Sequence, residues 1–148
     1  MNTTITIDTV RIGPGVAVVP TPEQMERQVA RLRAEGVSED STRMLSERLD
    51  TLRARLADRI ERREYPFAPY GHGDMINVQR RHTKWSEGMP QPDHASIRSD
   101  LTAASIGMTP AEFGKLEPAV ARAIIEEVAS QTEPDAEIIG FLSTLPTF

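Results

Sequence analysis

The first 20 residues alternate in a way that is typical of β-strands. Residues 3–12 are rich in β-branched side chains, and a second apolar run, Val16-Ala17-Val18-Val19, follows the turn signal Gly13-Pro14-Gly15. This pattern predicts a β-hairpin or an extended arm over residues 1–20. Because an isolated two-stranded hairpin is marginally stable in water, these strands must pack on helices of the chain or pair with the sheet of a neighbour.

Residues 21–64 have helical periodicity instead. Thr21, Pro22 and Gln24 form the start of a helix with a capping box, and this helix should end at Gly36. A second helix is expected from Ser38 to about residue 64. Its apolar positions are spaced by three or four residues, close to a coiled-coil repeat: Leu45, Leu49, Leu52, Leu56 and Ile60. We expect an antiparallel helical hairpin whose narrow apolar stripe needs a third element, from this chain or from another subunit, to cover it.

Residues 65–95 show neither the alternation of a β-strand nor the periodicity of a helix. This segment holds four of the 11 prolines, both tyrosines, all three histidines and the only tryptophan, Trp85. The sequence predicts a loop with at most a short strand at residues 75–78. Loops of this length are usually functional or disordered, and the aromatic residues argue against disorder. An ordered loop that wraps a surface is therefore expected.

The C-terminal residues 96–148 return to short helices. Ser96 or Ser99 should cap the first, which Gly107 closes, and Thr109 with Glu112 forms a second capping box. A helix beginning at Pro118 carries an apolar stripe of Val120, Ile124 and Val128. A last helix is expected from Glu133, and the apolar end of the chain, residues 145–148, is expected to dock on the protein.

Residues 101–113, Leu-Thr-Ala-Ala-Ser-Ile-Gly-Met-Thr-Pro-Ala-Glu-Phe, locally resemble the helix-turn-helix repeat of AraC-type DNA-binding regulators. The resemblance implies that the following helix would contact the major groove. That part of the chain departs from the pattern, because Lys115 is followed by Glu117 and then by Glu126 and Glu127. The other interpretation of these 13 residues is a tight corner between two helices.

Composition and charge narrow the class of function. The net charge is −5, and residues 93–148 carry nine acids against three bases, which argues against nucleic acid as the main partner. A chain without cysteine has no disulfide or thiolate chemistry. Four residues, His72, Asp74, His82 and His94, are the best candidates for a metal or acid–base site. Their spacing fits no recurrent motif, so we expect no metal, no cofactor and no catalytic residue.

The basic cluster around Trp85 is the leading candidate for a contact with another protein. Arg80, Arg81 and Lys84 lie beside this tryptophan in the sequence, and Trp and Arg are the residue types that most often anchor protein interfaces. In an acidic protein such a cluster is more suited to an acidic protein surface, including that of residues 93–148, than to phosphates.

The sequence therefore predicts a mainly α fold of one domain. Its segments are a β-hairpin or arm (1–20), an antiparallel helical hairpin (21–64), a wrapping loop (65–95) and an acidic cluster of short helices (96–148).

The predicted function is a non-catalytic structural, assembly or accessory subunit, for example a phage assembly component, that oligomerises or binds another protein. A DNA-binding regulator and a small metal-dependent enzyme subunit are the alternatives. With no signal peptide or apolar run that could span a bilayer, we expect a cytoplasmic protein or part of a particle assembled inside the cell. The predicted interface residues are Arg80, Arg81, Trp85, Leu45, Leu49, Leu52 and Leu56.

Overall fold

The structure is a computed structural model that describes residues 3–132. It divides into two compact units: an N-terminal unit of residues 6–64 and a C-terminal unit of residues 3–5 and 65–132. The last helix predicted from Glu133 and the apolar end at residues 145–148 lie outside the described residues.

The N-terminal unit is built from a sheet and two helices. Its elements in chain order are β1 (Thr4–Ile12, of which residues 6–12 belong to this unit), β2 (Gly15–Val19), α1 (Pro22–Ala34), α2 (Glu39–Leu56), a 3-10 turn (Ala57–Arg59) and β3 (Glu61–Pro66, of which residues 61–64 belong to this unit). The sheet has the strand order β2-β1-β3, and β1 and β2 form an antiparallel hairpin. The capping box at the start of α1 is confirmed, since Thr21 and Gln24 bond reciprocally. Gln24 also donates to the backbone oxygen of Thr6, which ties α1 to the sheet.

A buried carboxylate explains why the chain returns to the sheet after α2. Asp8 on β1 is fully buried. Its Oδ2 accepts from Arg53 Nη2 of α2 at 2.6 Å, and its Oδ1 accepts from Arg62 Nε of β3 at 2.9 Å. A buried charge is costly unless it is paired, so these two guanidinium groups hold α2 and β3 to β1. Burial raises the pKa of Asp8, but the hydrogen bonds from Arg62 and Arg53 outweigh it and hold the pKa below its usual value.

The C-terminal unit contains the remaining helices and a small second sheet. Its elements are α3 (His72–Arg81), β4 (Thr83–Ser86), β5 (Met89–Pro92), α4 (His94–Ser105), α5 (Pro110–Phe113) and α6 (Pro118–Thr132). The predicted starts of α5 and α6 are confirmed, with the capping box between Thr109 and Glu112 and with Pro118 in the first turn. The core of this unit includes the predicted α6 stripe, one aromatic residue that follows β3 and one aromatic residue of α5: Val120, Ile124, Val128, Phe67 and Phe113.

The prediction of a mainly α fold with a coiled coil is wrong. Of the described residues 58% are helical and 22% lie in strands, with two small sheets, so the fold is mixed α/β. Helix α2 ends at Leu56 instead of near residue 64, because the pairing of Arg62 with Asp8 requires an extended strand there. The expected loop at 65–95 holds α3, β4 and β5. The tentative strand at residues 75–78 is part of α3, whose buried Val78 and half-buried Met75 share a helical face.

Candidate functional site

The β4–β5 hairpin of the C-terminal unit presents the only tryptophan of the chain to solvent. The two strands are antiparallel, with Trp85 opposite Pro90 and Ser86 opposite Met89. Trp85 is 72% exposed and Met89 is 65% exposed. Tryptophan and methionine are enriched in the centres of protein interfaces and are uncommon as exposed surface residues. The tip of this hairpin is therefore the best candidate for a functional surface among the described residues.

The turn of the hairpin has the geometry that a two-residue loop requires. Glu87 and Gly88 have φ angles of +53° and +76°. Two successive positive φ angles define a type I′ turn, whose twist matches that of the flanking strands. Glycine adopts this conformation without strain, whereas glutamate does so at a cost. The turn fixes the register and hence the position of Trp85.

Two prolines remove hydrogen-bond donors from the edge of β5 that faces away from β4. In a hairpin with a two-residue loop the flanking pair, Ser86 and Met89, exchanges hydrogen bonds, and the next pair does not. Pro90 and Pro92 stand at the positions whose N–H groups would point away from β4. Proline has no N–H, so this edge offers fewer donors to an added strand. The hairpin is thus suited to contact through its side chains and poorly suited to extending a sheet.

The base of the hairpin is anchored to helix α4. The N–H of Asp93 donates to the carbonyl of His82 at 2.8 Å and closes the base. One carboxylate oxygen of Asp100 on α4 lies 2.7 Å from His82 Nε2 and accepts from Arg81 Nη1 at 3.0 Å. Thr83 donates to the carbonyl of Gln79 at 2.5 Å. A tip that is exposed and a base that is held in place are what a preorganised contact element needs.

Asp93 also begins helix α4. Its Oδ2 accepts from the hydroxyl of Ser96 at 2.7 Å and its Oδ1 accepts from the N–H of Ser96 at 3.2 Å. These two hydrogen bonds, with a smaller contribution from the charge of His82, hold the pKa of Asp93 below its usual value. The cap is therefore ionised at neutral pH. Sequence reasoning placed the cap at Ser96 or Ser99, and the structure corrects this to Asp93.

The predicted basic cluster is only partly assembled. Arg81 pairs with Asp100, a residue of the acidic region 93–148 of the same chain. Arg80 and Lys84 are exposed on α3 and β4. Lys84 and Trp85 are neighbours on a strand, so their side chains point to opposite faces of the hairpin.

The predicted leucine stripe belongs to the other unit. Leu45, Leu49 and Leu56 are half-buried on α2 and Leu52 is 42% exposed. These residues belong to the N-terminal unit, and the β4–β5 hairpin belongs to the C-terminal unit.

The candidate metal residues are dispersed within the C-terminal unit. His72 is exposed at the first position of α3, and Asp74 accepts from the N–H of Gly71 at 3.2 Å. His82 pairs with Asp100, and His94 lines a groove beside α4. Among residues 3–132 no group of three or more potential ligands is close enough together to hold a metal ion.

The segment that resembles a helix-turn-helix forms the corner between α4 and α5. Gly107 has a φ of +72° and ends α4, while Phe113 of α5 is buried. Helix α5 has only four residues. Neither its length nor the acids Glu117, Glu126 and Glu127 around the following helix favour insertion into a DNA groove.

Sequence reasoning singled out Trp85 but missed the hairpin that carries it, and it missed Met89 altogether. The available signal was the Glu87-Gly88 pair between two four-residue segments. Prolines at positions 90 and 92 concealed it, because proline normally argues against a strand.

Comparisons with family models, with curated proteins and with solved structures found no match to this chain. Within residues 3–132, no helix has the length and apolar character needed to cross a membrane.

Proposed function

We propose that this chain is a non-catalytic subunit of a protein assembly and that the β4–β5 hairpin is its main contact with a protein partner. The observation that carries the proposal is the exposure of Trp85 and Met89 on a hairpin whose base is anchored to α4. The partner is a second copy of the chain or another subunit, in the cytoplasm or in a particle assembled there.

The hydrophobic free energy that a partner would gain by covering Trp85 is large enough for an anchor residue of an interface. A tryptophan that is 72% exposed leaves roughly 150 Å² for a partner to cover, which corresponds to about 3–4 kcal/mol of gross hydrophobic free energy. Little of this is lost to ordering the hairpin, since the turn and the base already fix it. Tryptophan is also among the commonest hot-spot residues in interfaces.

Charge on the neighbouring elements favours an acidic partner surface. Arg80 and Lys84 are exposed beside the hairpin and on it. Exposed charges at the rim of an interface mainly accelerate association and are screened by salt. The partner is therefore expected to carry carboxylates that face Arg80 at the end of α3 and Lys84 on the other face of the hairpin, outside the pocket that receives Trp85.

The test compares association in three versions of the full chain: wild type, Trp85→Ala and Ile12→Ala. Ile12 is a matched control because it is a large apolar residue, 59% exposed, at the tip of the β1–β2 hairpin. Light scattering after size exclusion, at several concentrations and two salt levels, gives the mass relative to the 16.4 kDa monomer. If wild type is monomeric, the same variants are compared for binding to the subunit that copurifies from the native source.

Loss of a hot spot should weaken association by roughly 30-fold or more in Trp85→Ala, with helix content measured by circular dichroism unchanged. Ile12→Ala should associate like wild type. Equal association of wild type and Trp85→Ala would contradict the proposal, as would an effect in Trp85→Ala that accompanies loss of helix.

A further inference from the structure

The N-terminal unit has an open groove between α1 and α2, the α1–α2 groove, with a volume of about 380 Å³. Met25 and Val29 of α1 give it an apolar wall, Met25 being buried and Val29 half-buried. Ala30 of α1 and Ser46 of α2 also line it, and their side chains are too small to fill the space. Sites for small ligands usually have roughly 300–1,000 Å³, so the groove has room for one large side chain such as an indole.

Carboxylates stand on both helices that form the groove. Glu26 of α1 and Asp50 of α2 line it and are exposed. Among the described lining residues the only cation is Arg33, which lies 3.9 Å from Glu39, so its charge is already offset in part. The α1–α2 groove therefore combines an apolar wall with an acidic rim.

The β4–β5 hairpin has the complementary properties. Trp85, 72% exposed, stands directly opposite Pro90. Residues opposite each other on antiparallel strands share a face, so this face is apolar. Arg80 near the end of α3 and Lys84 on β4 are exposed cations beside it, offset in part by Glu87 at the turn. An apolar side chain flanked by cations suits a groove with an acidic rim.

The groove between α4 and α6 in the C-terminal unit is a poorer match to the hairpin. Its volume is about 210 Å³, below the usual range for a ligand site. None of its described lining residues is acidic, so it offers no carboxylate to Arg80 or Lys84. Both size and charge favour the α1–α2 groove.

We infer that the α1–α2 groove receives the β4–β5 hairpin of a second copy of this chain, with Trp85 against the apolar wall and with Glu26 and Asp50 at the rim facing the cations. The inference rests on the proposed function and names the partner that it leaves open. Hairpin and groove are different surfaces, so a dimer retains one free hairpin and one free groove. Association therefore continues head to tail beyond a dimer.

The experiment blocks each surface in a different variant of the full chain. Trp85→Ala removes the anchor of the hairpin and leaves the groove intact. Ala30→Arg places a long side chain in the groove and leaves the hairpin intact, and arginine is nearly as favourable in a helix as alanine. The matched control is Ala54→Arg, at an exposed position of α2 outside the lining of the groove. Light scattering after size exclusion gives the masses, and circular dichroism gives the helix content.

Wild type and Ala54→Arg should form species larger than a dimer as the concentration rises. Trp85→Ala and Ala30→Arg should each associate roughly 30-fold more weakly and remain at the 16.4 kDa of the monomer. An equimolar mixture of these two variants should form a dimer and nothing larger, because it brings together one intact hairpin and one intact groove. This dimer would also show that both variants are folded.

A second set of variants tests the charges. Glu26→Gln combined with Asp50→Asn should weaken association about fivefold at low salt and less at high salt, because exposed pairs are individually weak and are screened. Asp40→Asn removes an exposed carboxylate outside the groove and should leave association unchanged. Equal association of the double variant and wild type at low salt would contradict the inference.

The outcomes separate this inference from the proposed function. Association that Trp85→Ala abolishes and Ala30→Arg leaves unchanged would overturn the role of the groove and keep the hairpin as a contact. A wild type that stays monomeric up to about 1 mM and binds another subunit through Trp85 would do the same. A mixture of the two variants that stays monomeric would overturn the inference as well. Association that neither substitution weakens would overturn both the inference and the proposed function.

Discussion

The two hairpins of this chain have similar turns and opposite surroundings. Both have a two-residue loop with a positive φ at its first position, Gly13 at +57° and Glu87 at +53°. In the β1–β2 hairpin the sheet buries Ile7, Val10 and Val19. In the β4–β5 hairpin no residue is buried, and Trp85 is exposed at its tip.

This difference separates a hairpin that builds a core from one that presents side chains. The first contributes apolar burial to its unit, so its sequence is constrained by folding. The second consists of two four-residue strands, and a hairpin of that size gains little stability by itself. Its large apolar residues contribute little to the fold in their exposed positions, which is why we interpret them as a contact surface.

The largest expected effect on stability comes from a substitution in the β1–β2 hairpin. Replacing the fully buried Ile7 by alanine removes apolar contacts and leaves a cavity, so the free energy of unfolding should fall by about 3 kcal/mol. Urea denaturation followed by circular dichroism measures this. Ile12→Ala, in the same strand but exposed, should change it by less than about 0.5 kcal/mol. Similar losses in both variants would show that the first hairpin is not packed as described.

A somewhat smaller loss of stability is expected when the buried carboxylate of Asp8, in the β1–β2 hairpin, is removed. Asp8→Asn leaves Arg53 and Arg62 without their carboxylate and should lower the free energy of unfolding by about 2 kcal/mol. The control is Asp40→Asn, which removes a carboxylate from an exposed pair with Arg43 and should cost no more than about 0.5 kcal/mol. Equal stability of Asp8→Asn and wild type would rule out the role assigned to this cluster.

The same cluster predicts how stability depends on pH. The pKa of Asp8 is lower in the folded protein than in the unfolded chain, so its contribution is complete above the unfolded value of about 3.8 and is lost as the pH falls through the folded value. Wild type should lose up to about 1.4 kcal/mol per pH unit from this group in that range. Asp8→Asn should show a shallower decline, with a remainder from Asp93 and Glu112, whose pKa values are also lowered by their helix-cap hydrogen bonds. Parallel pH profiles for the two proteins would contradict the assignment.

A small gain in stability is expected at the turn of the exposed hairpin. Glu87→Gly removes the cost of a positive φ on a residue with a side chain and should stabilise the turn by about 0.5 kcal/mol. Amide exchange of Gln91, which pairs with Lys84, should slow by a factor of about two. Faster exchange at Gln91 would show that the turn does not have this geometry.

The smallest effect on stability is expected at the residue with the largest proposed effect on binding. Trp85→Ala should change the free energy of unfolding by less than about 0.5 kcal/mol, because most of the side chain is already in water. Urea denaturation of the monomeric protein at low concentration provides the measurement. A loss comparable to that of Ile7→Ala would mean that the tryptophan supports the fold.

The sequence was most informative where local signals and burial agree. The capping pairs Thr21–Gln24 and Thr109–Glu112 satisfy backbone groups within three residues, and the structure confirms both. The stripe of Val120, Ile124 and Val128 is likewise buried as its period predicts.

The sequence was least informative where distant residues decide the local structure. The periodicity of α2 continues to Ile60, but the pairing of Arg62 with Asp8, 54 residues earlier, makes the next segment a strand. For the site, composition indicated Trp85 as a contact residue, and no structural finding tests that prediction. Composition could not show the hairpin or the exposure of Met89, because both depend on cross-strand pairing and on which surfaces the rest of the unit leaves uncovered.

The central claim is that the tip of the β4–β5 hairpin is exposed in the isolated chain and covered by the partner. Because Trp85 is the only tryptophan, its fluorescence reports on this tip alone. The most direct measurement is acrylamide quenching of Trp85 in the monomer and at the concentration, or with the partner subunit, at which light scattering shows association. The account predicts strong quenching in the monomer, and quenching several-fold weaker with an emission maximum at shorter wavelength in the complex. Association with unchanged quenching of Trp85 would contradict it.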